Sequence, residues 1–143
     1  MFIGEHLHTI DSKKRIAIPS KFRKEIGRSI VITRGMDECL VVYPLEEWRI
    51  LADKLSKLPI SQREARRFAR IVLGGAMKVK LDKLGRILIP DYLKEYAGLN
   101  KNVVITGLYN RLEIWDKRKW DTYRKKAERE VSSIAEKLGE LGI

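Results

Sequence analysis

The feature that most constrains this chain is a nine-residue pattern that occurs twice. Asp11-Ser12-Lys13-Lys14-Arg15-Ile16-Ala17-Ile18-Pro19 returns 71 positions later as Asp82-Lys83-Leu84-Gly85-Arg86-Ile87-Leu88-Ile89-Pro90. Each copy passes from an acid through a short polar turn to an arginine. It then enters an apolar strand that stops at proline, which has no N–H to give to a ladder. The flanking order repeats as well: Ile30-Val31-Ile32-Thr33 matches Val103-Val104-Ile105-Thr106, and Leu40-Val41-Val42-Tyr43 matches Leu112-Glu113-Ile114-Trp115. So many elements in one order mean a duplicated unit.

The pattern within each unit is a strand, the motif, a short helix and a hairpin. Phe2 to Ile10 alternates loosely as a strand, and Met77, Val79 and Leu81 alternate with Lys78, Lys80 and Asp82 in the second copy. After Pro19 a helical turn is expected over residues 20–26, with Ser20 as its cap, Phe22 and Ile26 on one face, and Gly27 at its end. Residues 91–97, closed by Gly98, answer it. Residues 34–38 turn the first hairpin, and Pro44 opens a helix that points Trp48, Leu51, Leu55 and Leu58 inward. These signals divide the chain into repeat 1 at residues 5–47, a helical connection at 48–75, repeat 2 at 76–119, and an amphipathic helix at 120–143.

A chain of 143 residues can bury roughly 68–70% of its unfolded surface as one domain, whereas either half alone is marginal. One intertwined core is therefore expected. The net charge of +11 favours a polyanionic partner, nucleic acid first and a membrane surface second. No apolar run reaches the roughly 18–20 residues of a spanning helix, and the start of the chain lacks a signal-peptide layout, so a cytoplasmic protein without membrane attachment is expected. The single cysteine, Cys39, lies in a predicted core strand and reads as a buried thiol.

Arg15 and Arg86 are the residues to explain. An arginine at the foot of a stiff strand can offer its planar fork to the O6 and N7 of guanine. Lys13 and Lys14 beside Arg15, and Lys78, Lys80 and Lys83 around Arg86, would then meet phosphates. The competing reading is that each arginine clamps its own aspartate. Asp11 and Asp82 are expected to cap their turns through backbone N–H groups rather than approach DNA. Arg63, Arg66, Arg67 and Arg70 form a basic helical stripe, either a solvated or interface face pairing with acids such as Glu46 and Glu47, or a supplementary phosphate contact. Gly74-Gly75 reads as a flexible break before the second unit.

No enzyme signature stands beside these features. His6 and His8 lack a third ligand, the three tryptophans read as core and interface anchors, and no phosphate loop, dinucleotide fingerprint or nucleophile elbow occurs. No metal and no cofactor is expected.

The run Asp82 to Lys94 resembles the AbrB-type DNA-binding module, and two such units in a chain of this length resemble the MraZ family of bacterial transcriptional regulators. Gln62-Arg63, Arg66-Arg67, residues 95–99 and residues 113–117 extend the resemblance, which covers residues 1 to about 120. It implies an α+β fold, a swapped-hairpin (double-split) β-barrel built from two internal repeats with peripheral helices. It further implies a ring-shaped homo-oligomer, associated with the nucleoid, that binds double-stranded DNA at repeated promoter sites of the cell-division and cell-wall gene cluster, its own promoter included. The alternative is an AbrB-type antitoxin-like protein whose DNA binding depends on another chain. One departure from the family pattern is Lys14, standing where the second copy has Gly85; a lysine forced to positive φ would give the first turn a different shape.

Overall fold

The computed structural model describes residues 1–143. Repeat 1 contributes β1 (Phe2–Thr9), β2 (Arg15–Ala17), α1 (Ser20–Ile26), β3 (Ser29–Arg34) and β4 (Leu40–Pro44). Two helices follow, α2 (Leu45–Ser56) and α3 (Arg63–Val72). Repeat 2 then runs β5 (Met77–Lys80), β6 (Arg86–Leu88), α4 (Asp91–Ala97), β7 (Asn102–Tyr109) and β8 (Leu112–Asp116), and α5 (Lys117–Lys137) leaves at its end. The architecture is mixed α+β with antiparallel sheets and five α-helices.

The halves do not form separate sheets. In the six-stranded sheet the order is β1-β7-β8-β4-β3-β5, so each repeat's first strand lies on the other repeat's third strand. Pairing runs from Phe2↔Tyr109 to Thr9↔Asn102 on one edge and from Ser29↔Lys80 to Ile32↔Met77 on the other. At the centre β4 meets β8 through Leu40↔Ile114, Val41↔Glu113 and Val42↔Leu112. The two motif strands pair only with each other, as Arg15↔Leu88, Ile16↔Ile87 and Ala17↔Arg86. A pseudo-two-fold axis thus passes beside Ile16 and Ile87.

The β-branched runs explain why this assembly holds. Ile30 and Ile32 of β3 and Val103 and Ile105 of β7 are fully buried, and such side chains pack well on a pleated surface. They share one core with Ile16, Ile18, Ile87, Ile89, Phe22, Leu93 and Leu112, drawn from both repeats. Pro19 and Pro90 occupy the cap positions of α1 and α4, with φ of −50° and −59°. Ser20 is therefore the first helical residue and caps nothing: the proline already directs the chain, and Phe22 N–H bonds the Pro19 carbonyl.

The connection is anchored more firmly than a flexible break would allow. The Thr33 hydroxyl donates to the Val72 carbonyl at 2.6 Å, Arg34 Nη1 donates to the Ile71 carbonyl at 3.2 Å, and the Tyr92 hydroxyl donates to the Gly75 carbonyl at 2.9 Å. A Cβ at Gly75 would sit 2.6 Å from the Ile71 carbonyl and 2.7 Å from Arg34 Nη1, so this glycine permits close packing at a tight corner. On α2 only Leu55 is buried, while Trp48 and Leu51 are half-covered, Trp48 lying 5.8 Å from the Tyr43 ring; Leu58, also half-covered, lies beyond the helix end at Ser56. Cys39 is buried, and burial pushes its thiol pKa up, with the carboxylate of Glu113 adding to the shift.

At the chain's end, Trp120 and Tyr123 stack on each other and pack tilted against Trp115, and Trp120 Nε1 donates to Glu5 at 2.6 Å. Beyond Ala127 the helix and the turn that follows it leave the body: Val131 is 59% and Leu141 74% exposed. Packing of α5 on its own chain therefore stops after about three turns. No helix is long and apolar enough to cross a membrane.

Because Ile16 and Ile87 are both 0% exposed where the repeats meet, Ile16→Ala and Ile87→Ala should each cost about 2–5 kcal/mol. Urea unfolding followed by tryptophan fluorescence checks this. A loss below about 1 kcal/mol for both would show that the β2–β6 pair is peripheral to stability.

Candidate nucleic-acid interface

The site begins with two turns built by the same hydrogen bonds. In the first, Asp11 Oδ1 accepts from Lys13 N–H at 2.8 Å and Arg15 N–H at 2.9 Å, and Lys14 N–H bonds the Asp11 carbonyl at 3.0 Å. In the second, Asp82 Oδ1 accepts from Leu84 N–H and Arg86 N–H, both at 2.9 Å, and Gly85 N–H bonds the Asp82 carbonyl at 3.0 Å. Aspartate suits this position because its short carboxylate reaches back to backbone two and four residues on. Lys14 adopts φ 62° where Gly85 has φ 75°. The expected difference in turn shape is absent, since the Asp11 network and a salt bridge from Lys14 Nζ to Asp91 hold the lysine there.

Each arginine is also clamped. Arg15 Nε donates to Asp11 Oδ2 at 2.9 Å, and Arg86 Nε donates to Asp82 Oδ2 at 2.7 Å. The clamp uses only Nε, and the Nη atoms make no hydrogen bond to the chain; Arg86 Nη1 stands 3.9 Å from Asp11 Oδ2, linking the two turns electrostatically. Strand alternation fixes the direction of both side chains. With Ile16 and Ile87 facing the core, Arg15 and Arg86 occupy the opposite face as diagonal neighbours. Their side chains retain 29% and 28% exposure. The turns are stitched across the repeats by Ile18 N–H to the Gly85 carbonyl at 2.9 Å and Ile89 N–H to the Lys14 carbonyl at 2.8 Å.

The predicted lysines divide. Lys13 is exposed at the tip of the first turn, Lys14 is held by Asp91, and Lys83 is exposed on the second turn. Lys80 lines a cleft of about 850 Å³ beside that turn together with Lys83; Lys78, two residues back along β5, lies outside it. The same cleft contains Arg23 and Lys24 of α1 and Arg28 just beyond it. Those three cations escape a linear reading because they sit in repeat 1 while the turn they flank belongs to repeat 2. The sign that could have found them is the contrast of Arg23 and Lys24 with Lys94 and Glu95 at the same positions in α4.

The remaining candidates lie elsewhere. On α3, Arg66 Nη1 donates to the Ile60 carbonyl at 2.9 Å and Arg67 lies 3.8 Å from Glu64, while Glu47 is engaged by Asn110. His6 packs edge-on against Phe22 at 5.2 Å. His8 is half-buried, and burial, then the neighbouring His6 and Arg23, lower its pKa.

A strand-exchanged α+β scaffold with two carboxylate-clamped arginines on one face defines the class of small basic proteins built from two repeats. A sequence model of the family described as "MraZ protein, putative antitoxin-like" matches residues 1–71 and again residues 72–139. Over all 143 residues, and the full length of each relative, the chain is 52% identical to the transcriptional regulator MraZ of Clostridium tetani, 50% to that of Clostridium acetobutylicum and 48% to that of Natranaerobius thermophilus. The chain belongs to the MraZ family.

Backbone N–H donation, from Arg15 to Asp11 and from Arg86 to Asp82, is the main cause holding both carboxyls below the usual carboxylate range. A depressed folded pKa means that the turns contribute stability above the unfolded value of about 3.9 and lose it as pH falls through the lower folded values. Carbon-detected NMR titration should give midpoints for Asp11 and Asp82 below the model-peptide value, and Asp82→Asn should flatten the acid limb of the stability curve. Midpoints at or above that value would contradict the hydrogen-bonded turns.

Proposed function

We infer that the protein is a transcriptional regulator that binds double-stranded DNA in a sequence-specific manner, with Arg15 and Arg86 as its base-reading residues. The observation that carries this reading is the clamp: Asp11 and Asp82 immobilise each guanidinium through Nε and leave both Nη atoms for a ligand. A fork with a fixed base loses less freedom when it meets the paired acceptors of guanine. Lys13, Lys14, Lys83, Lys78 and Lys80 supply phosphate contacts around the two turns. Such contacts set affinity and register without reading sequence. The name shared by the relatives, transcriptional regulator, supports the same direction.

The reading extends to architecture and assembly. The exchanged strands of residues 5–47 and 76–119 form a swapped-hairpin barrel, and copies of the chain join in a ring-shaped homo-oligomer. The bare apolar stripe of Val131, Ile134, Leu138 and Leu141 supports such joining. In the cytoplasm, on the nucleoid, the ring engages repeated promoter sites of the cell-division and cell-wall gene cluster, its own promoter among them. Several reading heads acting together gain ~10²–10⁴ in avidity when their spacing matches the sites. The antitoxin-like wording of the family description favours a second reading, in which DNA binding needs another protein chain; stoichiometric co-purification of such a chain would distinguish it.

Arg15→Ala and Arg86→Ala should each weaken binding to a specific duplex by about 1–3 kcal/mol with the fold retained. Arg86→Lys should keep non-specific binding and lose discrimination, because an ammonium cannot bond bidentately. Electrophoretic mobility shifts on duplexes selected from a random pool test this, and unchanged affinity in both alanine variants would remove the arginines from recognition. A duplex with several spaced repeats should also bind far more tightly than one with a single repeat; equal affinities would eliminate the multivalent mechanism.

A further inference from the structure

The pseudo-two-fold axis relates two turns whose flanks are chemically unlike. Beside the Asp82 turn, the cleft gathers Arg23, Lys24, Arg28, Lys80 and Lys83 around one carboxylate, Asp82. The positions related by the repeat are Lys94, Glu95, Lys101, Thr9 and Ser12 around Asp11. The equivalence of Arg28 and Lys101 is fixed by structure, since their carbonyls accept from Leu81 N–H and Ile10 N–H respectively, both at 2.8 Å. With Lys14 counted where the second turn has Gly85, five cations facing one carboxylate on one side thus become three cations facing two carboxylates on the other. At the tips the contrast reverses: Lys13 stands opposite Leu84, which is 62% exposed.

This asymmetry is built into the backbone as well as the surface. Arg23 lies across the second turn, its Nε donating to the Ile18 carbonyl at 2.9 Å. A Cβ at Gly85 would collide with the Arg23 guanidinium and its Cδ. Glycine at 85 therefore serves two needs, a φ of 75° and room for the arginine. In the first turn the equivalent residue is Lys14, which carries that Cβ and pairs with Asp91, and the counterpart of Arg23 is the shorter-headed Lys94. The two substitutions complement each other: where the turn has room, a guanidinium fills it.

We propose that this cleft, formed by α1 of repeat 1 and the β5–β6 turn of repeat 2, is a phosphate-backbone clamp present on one side of each protomer, and that it makes the protein lie on DNA in a single orientation. The proposal rests on the DNA-reading role of Arg15 and Arg86. A head with true two-fold symmetry would bind equally in either direction and would favour palindromic sites. A cationic cleft on one flank holds the duplex strand beside the second turn more tightly than the strand beside the first. The head then reads a non-palindromic site directionally, with Arg86 next to the firmly held strand. Arg23, anchored through Nε, contributes its Nη atoms, and Lys24, Arg28, Lys80 and Lys83 contribute mobile charges along the backbone path.

Two measurements on the full-length protein decide the matter, using a duplex selected by the wild type. The double variant Lys24→Ala/Arg28→Ala changes two exposed side chains and should preserve the fold. It should lower affinity at least tenfold and reduce the log–log salt slope by about 2, since each phosphate contact contributes about 0.9. Arg23→Gln should act in the same direction, whereas Lys94→Ala, on the opposite flank, should change affinity less than twofold. Iron chelates tethered through Ser12→Cys or Leu84→Cys, exposed turn residues given no DNA contact, should each cleave DNA on one side of the bound site, and on opposite sides from each other. Equal losses from the two flanks, no loss from the cleft variants, or a cleavage pattern symmetric about the site centre would overturn the proposal while leaving the DNA-reading role intact. A wild type that selects no duplex at all would overturn both.

Discussion

Neither repeat can satisfy its own third strand. β3 has β4 on one side and needs β5 on the other, while β7 has β8 and needs β1. Unpaired strand edges carry rows of free N–H and C=O groups, so each half depends on the first strand of the other. The exchange also puts the two arginine turns side by side. Once β1 and β5 have crossed, the short motif strands that follow them have only each other to pair with. The geometry of the face that carries the two arginines is thus a by-product of how the sheet closes its hydrogen bonds.

Within that face, rigidity is obtained at small cost in reach. Each aspartate accepts two backbone N–H groups on Oδ1 and a guanidinium Nε on Oδ2, which engages both oxygens while leaving the outer guanidinium nitrogens unspent. The competing readings of these arginines, structural clamp and DNA contact, therefore involve different atoms of the same side chain. The clamp fixes the stem, and the fork remains available to a ligand.

Much of this was legible in the residues. The duplicated motif, the β-branched runs at 30–33 and 103–106, and the glycines and prolines around α1 and α4 locate the elements because local chemistry and packing agree there. The clamp was the competing reading of Asp and Arg spaced four apart around a turn, and the Nε bonds to Asp11 and Asp82 are present. What escaped depends on contacts between distant segments. Gly74-Gly75 reads as a hinge by composition, but Thr33, Arg34 and Tyr92 pin the corner from elsewhere in the chain. Ser20 reads as a cap, but the proline before it had taken the position. Arg23, Lys24 and Arg28 read as ordinary helix-end charges until strand exchange carries the second turn onto them.

The crossing of β1 has a kinetic consequence. Phe2 to Thr9 find their partners only when Asn102 to Tyr109 exist. At a synthesis rate of about 5–20 residues per second, a gap of roughly 100 residues leaves β1 without its mate for roughly 5–20 s. Through that interval the nascent chain exposes Phe2 and the unpaired strand β1, joined by the edge of β3 until Met77 to Lys80 are made, and a neighbouring nascent chain offers the same strands. Pairings that span nearly the whole sequence also form slowly once synthesis is complete. The same exchange that locks the finished protein together makes its assembly a race between partners within one chain and identical partners in another.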